Sequence, residues 1–287
     1  MKRIYPFILP FFCLVLVSAL FSSMVTPVKA QGKVAPKLSA KGKAAIVSYI
    51  RHSGGSITLV YRDLTTGDAY SINGSAPHHA ASTIKLPLVM DVMNLVSHHK
   101  LSLKQKLTYH RYQYCDGSGV IQYHKVGSKY TIADLIKKAV EYSDNIAFIM
   151  LEDRVGRSQF HHYIKQIGGK YSYPRGINMT SAQDLTTFIT KLYHDAKSNA
   201  YDRQLVTYLQ HTKYNATIPA GIKGTVVAHK VGWMPELKVS NDVAIVYDKH
   251  PYTLSILTNG FVYSHSTKVI AQLASLVNNY HKQKYHE

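Results

Sequence analysis

Cysteine is almost absent from this chain: Cys13 and Cys115 are the only two among 287 residues. Cys13 sits in an N-terminal stretch expected to be removed, so no internal disulfide is available and stability must come from an apolar core. No C-x-x-C or H-E-x-x-H spacing occurs, which leaves a metal centre without a motif. The sixteen histidines do not supply one: His78-His79, His98-His99 and His161-His162 are adjacent pairs, whose side chains point to different faces, and they read as surface residues. Acid is scarce too, with 16 Asp and Glu against 34 Lys and Arg and a formal charge of +18. The scarcity is extreme between Arg154 and Gln183, where no aspartate or glutamate occurs at all. There is no nucleic-acid-binding motif, no aromatic–basic repeat and no internal repeat, so nucleic acid is not an expected partner.

The chain begins Met1-Lys2-Arg3, runs apolar from Ile4 to about Val25 and reaches Val28-Lys29-Ala30 before Gln31. A positive start, an apolar middle and small residues at the last and third-last positions predict a secretory signal peptide over 1–30, cleaved after Ala30. The expected location is secreted, and a membrane role arises only if that segment stays uncleaved. Loss of Lys2, Arg3 and Lys29 leaves +15 on the remaining 257 residues. An exported protein this cationic is expected to meet anionic cell-wall polymers.

Residues 31–43 are basic, small and interrupted by Pro36 and Gly32, which predicts a linker. Helical periodicity starts near Ala44 and stops at Gly54-Gly55. Ser56–Tyr61 and Asp68–Ile72 alternate as strands around the turn residues Thr66-Gly67. From Ser82 to about Leu209 the pattern is mostly helical, with one long run from Thr131 to Val155. Strand-like runs return over 225–233, 241–248 and 252–263, and an amphipathic helix over 266–280 closes the chain. Strands at both ends with helices between predict an α/β (α+β) fold: an antiparallel sheet assembled from the two termini, with flanking helices and an all-helical subdomain. The expected catalytic domain spans 44–287, its α/β part over 44–81 and 212–287 and its helical part over 82–211.

Ser82-Thr83-Ile84-Lys85 puts a hydroxyl and an amine one helical turn apart, on one face. A serine hydroxyl attacks poorly until a base removes its proton, and a desolvated lysine can be that base. Alone, Ser82 could be a helix N-cap, Asp144-Asn145 a turn and Lys230 a solvated edge-strand charge. Together, Ser82-x-x-Lys85, then Ser143-Asp144-Asn145, then Lys230-Val231-Gly232 reproduce an ordered serine-enzyme motif set in which one residue differs.

On these motifs the chain resembles the class A serine β-lactamase family and its penicillin-binding relatives, over roughly Ile57 to Asn278. Gly117-Ser118-Gly119-Val120, Tyr130-Thr131-Ile132-Ala133-Asp134-Leu135 and Asn241-Asp242-Val243-Ala244 add to the likeness. The resemblance implies a β-lactamase/transpeptidase-like fold and no cofactor. It implies Ser82 as acylated nucleophile, Lys85 as base and Ser143 as proton carrier to the leaving nitrogen. Asn145 would hold the substrate amide, with Asp144 structural. Lys230 would favour a substrate carboxylate and lower the proton affinity of Lys85. Gly232 and Trp233 would edge the cleft, where the N–H groups of Ser82 and Trp233 form an oxyanion hole. The implied substrates are β-lactams or acyl-D-amino-acid groups of peptidoglycan peptides. A D-alanyl-D-alanine carboxypeptidase and a catalytically retired cationic wall-binding protein are the rival expectations.

Two departures qualify this. Val231 stands where the family has threonine, so a hydroxyl that would bond a substrate carboxylate is missing. No E-x-x-L-N sequence occurs, so the loop that would carry the deacylating carboxylate has none. Glu152 and Asp153 are the nearest substitutes and are expected to be solvated helix charges.

Overall fold

Why the two ends of the chain must meet is visible in their strands. The computed structural model describes residues 37–286; the expected signal peptide over 1–30 and the first part of the expected linker lie outside them. In chain order the described elements are α1 (Ala40–Ser53), β1 (Ser56–Asp63), β2 (Ala69–Ile72), β3 (His78–His79), α2 (Lys85–Ser97), β4 (Lys106–Thr108) and β5 (Lys129–Thr131). There follow α3 (Ile132–Glu141), α4 (Asn145–Val155), α5 (Arg157–Gln166), β6 (Met179–Thr180), α6 (Ala182–Asp195), α7 (Ala200–Gln210), α8 (Ile218–Gly221), β7 (Val226–Met234), β8 (Val239–Tyr247), β9 (Tyr252–Asn259) and α9 (Tyr263–Lys284).

Five strands form one antiparallel sheet in the order β2-β1-β9-β8-β7, so N-terminal β1 pairs with C-terminal β9. Successive residues of a strand face opposite ways, and β8 fills both sides. Val243 and Ile245 enter the core shared with α2 to α7, whereas Ala244 and Val246 enter the core under α1 and α9. Across the first core, α6 is fastened to β9 by Thr186 Oγ1 to Ser255 Oγ at 2.7 Å. This is the α/β arrangement expected of the sequence.

Several boundaries differ. The first helix starts at Ala40, because Ser39 caps it by accepting from Gly42 N, so residues 40–43 are helix and not linker. The helical run expected over 131–155 breaks at Ser143, whose φ of +52° ends α3 before Asp144 caps α4. The last helix extends from Tyr263 to Lys284, past the expected 266–280, because Lys284 and Tyr285 reach back to Asp63. The two-stranded pairs β3–β6 and β4–β5, of two or three residues a strand, are too short to be seen in the sequence. Histidine is not uniformly on the surface: His78, His229 and His281 are buried, each held by the packing of distant segments.

Candidate active site

The helix α2 is apolar over most of its surface, with Leu86, Leu88, Val89, Met90, Val92 and Met93 buried, so it must run through the middle of the helical core. Its first residue, Lys85, is dragged inside with it and is 3 % exposed. Ser82 precedes it in a 3-10 turn over Ala81–Ile84. Ala81 holds φ at +48°, a left-handed conformation unusual for alanine, which surrounding bonds enforce. Ala81 N donates to His79 Nδ1 at 3.1 Å, Ala80 N donates to Asn178 O at 3.0 Å, and Asn241 Nδ2 donates to His79 O at 2.9 Å. The turn that presents Ser82 is therefore clamped from β3, from Asn178 just before β6, and from β8.

Lys85 Nζ donates to Ser82 Oγ at 3.1 Å and to Asn145 Oδ1 at 2.7 Å, and it bonds the carbonyl of Ser143. Ser143 Oγ accepts from Lys230 Nζ at 2.9 Å and lies 3.4 Å from Lys85 Nζ. Five of the residues singled out in the sequence thus converge: Ser82, Lys85, Ser143, Asn145 and Lys230. Gly232 has a packing role. A Cβ there would lie 2.7 Å from the backbone nitrogens of Ser82 and Thr83, so only glycine lets β7 press against the Ser82 turn. Trp233 follows at the cleft wall, its ring 4.8 Å from Tyr214 and 5.9 Å from Tyr263.

The electrostatics follow from depth. Burial pushes the Lys85 amine down to about 7, although Asp144 and Cys115 pull it upward. Lys230 is pushed well below the usual lysine range, by burial first and by repulsion from Lys85 second, against the attraction of Asp242. Burial is thus the main cause at Lys85, as a desolvated lysine base requires, whereas the resemblance had implied its lysine neighbour. Lys230 itself is enclosed, with Nζ bonded to Ser143 Oγ and the Val231 carbonyl, and it stands behind the cleft lining. Such a site can remove a proton from Ser82 and hand it onward through Ser143.

Asp144 is structural. One oxygen caps α4 at Ala147 N, and the other accepts from Val120 N and Ile121 N at 2.7 and 2.9 Å. Gly119 packs on it with φ +111°, and a Cβ there would come within 2.3 Å of Asp144 Cγ. Behind β7, His229, Asp242, Thr217 and Asn215 bond one another and hold the 212–217 loop, so that Tyr214 reaches the cleft.

The open cleft has a volume of about 760 Å³. It is lined by Ser82, Lys85, Asn145 and Trp233 as expected, and also by Cys115, Asp116, Ser118, Asn178, Tyr214 and Glu236, which motif reading missed. Only Ser118 had a signal, as part of the Gly-Ser-Gly turn; its Oγ donates to the Ser143 carbonyl at 3.0 Å. The acids flanking the 154–183 stretch face away. Glu152 is buried, bonded by the Tyr173 hydroxyl and 3.6 Å from Arg157 Nε, where a solvated charge was expected. Asp153 accepts from Gln113 Nε2 at 2.8 Å. Asp184 takes the N–H groups of Lys170, Tyr171 and Ser172. The described residues contain no group of three or more His, Cys, Asp or Glu that could hold a metal ion.

Residues 41–281 match the model of the beta-lactamase enzyme family. Among solved structures the chain is similar to PBP-A, with a TM-score of 0.80 at 23% identity over 86% of this chain and 97% of that one. A mutant of PBP-A, seen as its acyl-enzyme complex with penicillin G, gives a TM-score of 0.79 at 23% identity over 87% and 98%. An ancestral class A β-lactamase gives 0.76 at 24% identity over 83% and 99%. At these identities the structural likeness establishes the fold. No curated protein matches the chain.

Proposed function

The chain belongs to the beta-lactamase enzyme family, and from that premise we propose that it is a serine acyl-enzyme hydrolase whose deacylation is slow. The observation that carries this reading is Lys85 Nζ at 3.1 Å from Ser82 Oγ, in a pocket where burial drives the amine to shed its proton. Lys85 takes the hydroxyl proton as Ser82 Oγ bonds to the carbonyl carbon of a β-lactam or an acyl-D-amino-acid amide. The C–N bond then breaks, and the leaving nitrogen receives a proton through Ser143. The product is an ester at Ser82. Breaking that ester needs an activated water, and a missing general base costs about 10²–10⁴-fold in rate. Glu152, Asp153 and Asp184 are all engaged elsewhere, and the cleft's own carboxylates, Asp116 and Glu236, are exposed and make no bond to Ser82, Lys85 or Ser143, which supports the slow second step.

Export and wall association are part of the same reading. Among the described residues eight of the fifteen acids are buried, against Lys85, Lys230 and Lys284 of the thirty bases, so their surface is more basic than the composition suggests. Retention on isolated cell walls should fall steeply between 0.1 and 1 M salt, as the Debye length shrinks from about 10 to about 3 Å. Salt-independent retention would remove the charge argument.

The test of the catalytic reading is mass spectrometry of the protein after mixing with a fluorescent penicillin. The expected result is one penicillin mass on Ser82, formed in a stoichiometric burst and followed by a very slow steady state. Ser82→Ala should take no label while staying folded. Undiminished labelling of Ser82→Ala defeats the nucleophile assignment, and rapid multiple turnover defeats slow deacylation.

A further inference from the structure

Charge is distributed in this molecule in a way the family reading does not use. Outside the buried set, five of the seven carboxylates of the described residues have a partner. Asp68 and Asp195 pair with Lys284 and Lys191, and Asp248 with Lys282; Asp134 accepts from Thr131 N and Oγ1 at the start of α3, and Asp153 bonds Gln113. Two have none among the described residues, Asp116 and Glu236, and both line the one cleft that holds Ser82. They come from opposite structural sides. Asp116 lies in the loop before Gly117, where its carbonyl accepts from Asn145 Nδ2 at 2.7 Å. Glu236 lies in the 3-10 turn Pro235–Leu237 that follows β7.

The same lining contains no arginine, and its only lysine is Lys85, enclosed at the base. It presents the rings of Tyr214 and Trp233, whose faces attract cations. Val231 offers no hydroxyl to a carboxylate. An ammonium group matches every one of these features, having three donors, a positive charge and no acceptor. Like charges on both sides of a cleft reinforce each other in the space between them and draw in ions of opposite sign.

Resting on the acylation reading above, we propose that this cleft selects an acyl substrate bearing a protonated amine, recognised by Asp116 and Glu236. Cell-wall stem peptides with a free diamino-acid side chain have that chemistry.

Three penicillins with one core separate the charges: benzylpenicillin, its α-amino derivative ampicillin and its α-carboxy derivative carbenicillin. At pH 7 an α-amine, with a pKa of about 7.7–8.0, is mainly protonated. The second-order rate constant for labelling Ser82 should run ampicillin, benzylpenicillin, carbenicillin, with about tenfold between the extremes, the low end of electrostatic effects on encounter. In the double variant Asp116→Asn/Glu236→Gln the spread should shrink to within about twofold, as it should in 1 M salt. Both side chains are exposed, so the fold should be little affected.

A second arm does not depend on acylation: equilibrium binding of Nα-acetyl-lysyl-D-alanyl-D-alanine against its Nε-acetyl counterpart. The free amine should bind several-fold more tightly to the wild-type protein and equally to the double variant. A flat or reversed order in the wild type, or an order that survives the double substitution, overturns the inference. Failure of all three penicillins to label Ser82 sinks the acylation reading, and the peptide arm then decides the amine preference by itself.

Discussion

Lys284 and the cleft pair Lys85 and Lys230 are all buried lysines, yet they meet opposite surroundings. Lys284 closes the C-terminal helix α9 onto β1, where Asp63 and Asp68 receive its charge. Lys85 and Lys230 receive hydroxyls, carbonyls and an amide oxygen, and each other's charge; the carboxylate of Asp144 is turned toward backbone N–H groups. Depth is shared, and the partner set decides the outcome. One lysine fastens the fold as an ion pair, while two at the cleft are driven toward the neutral amine that proton transfer needs. A stability element and a reactive element are made from the same residue type by the choice of neighbour.

The sharpest way to break this contrast is to make the cleft amine a permanent cation. Lys85→Arg cannot shed its proton, and acylation should fall by about 10²–10⁴-fold in stopped-flow burst measurements. A rate within threefold of wild type would show that Lys85 is not the base. The matching change at the other lysine should act on folding alone. Lys284→Ala leaves Asp63 buried without its counter-ion, a loss of about 3–5 kcal/mol, to be read from urea unfolding. Acylation per folded molecule should stay as it was.

Smaller effects sharpen the comparison through pH. With Lys85 near 7, the protonated amine dominates below that value and the free base above it. The acylation rate should therefore climb between pH 6 and 8 with a midpoint near 7. A profile flat across that range would contradict a lysine base. Asp63 works in the acid range. Burial raises it, but Lys284, Tyr285 and the N–H groups of Thr65 and Thr66 overcome this and hold it at about 2, against 3.8 in the unfolded chain. Its contribution is present above pH 4 and is lost as pH falls toward 2, about 1–2 kcal/mol after allowance for solvent screening. The stability gap between wild type and Asp63→Asn should narrow over that interval. A constant gap would mean that the carboxylate is not charged in the fold.

Much of the architecture was legible because it is written in local periodicity. The short runs rich in apolar and β-branched residues that form β8 and β9, and the largely apolar run of α2, each predict their element from near neighbours. The break at Ser143 was not legible, because the residues around it continue a helical pattern and only Asp144, bonded to Val120 and Ile121, shows why the chain turns there. The same limit applies to the cleft. Asp116 and Glu236 look like ordinary surface acids in the sequence, and their lack of partners is visible only once the other carboxylates are seen to be occupied.

What this sequence determined by itself was the reactive spacing of Ser82 and Lys85 and the order of the motifs that follow, since two residues three apart on one helical turn meet whatever surrounds them. The tertiary structure decided whether that spacing means chemistry. It brought Ser143 and Lys230 together across 87 residues and carried Lys85 out of water. It also turned Glu152 and Asp184 away from the cleft. Desolvation and charge pairing depend on which distant segments close over a side chain, and that information lies in no stretch of neighbouring residues.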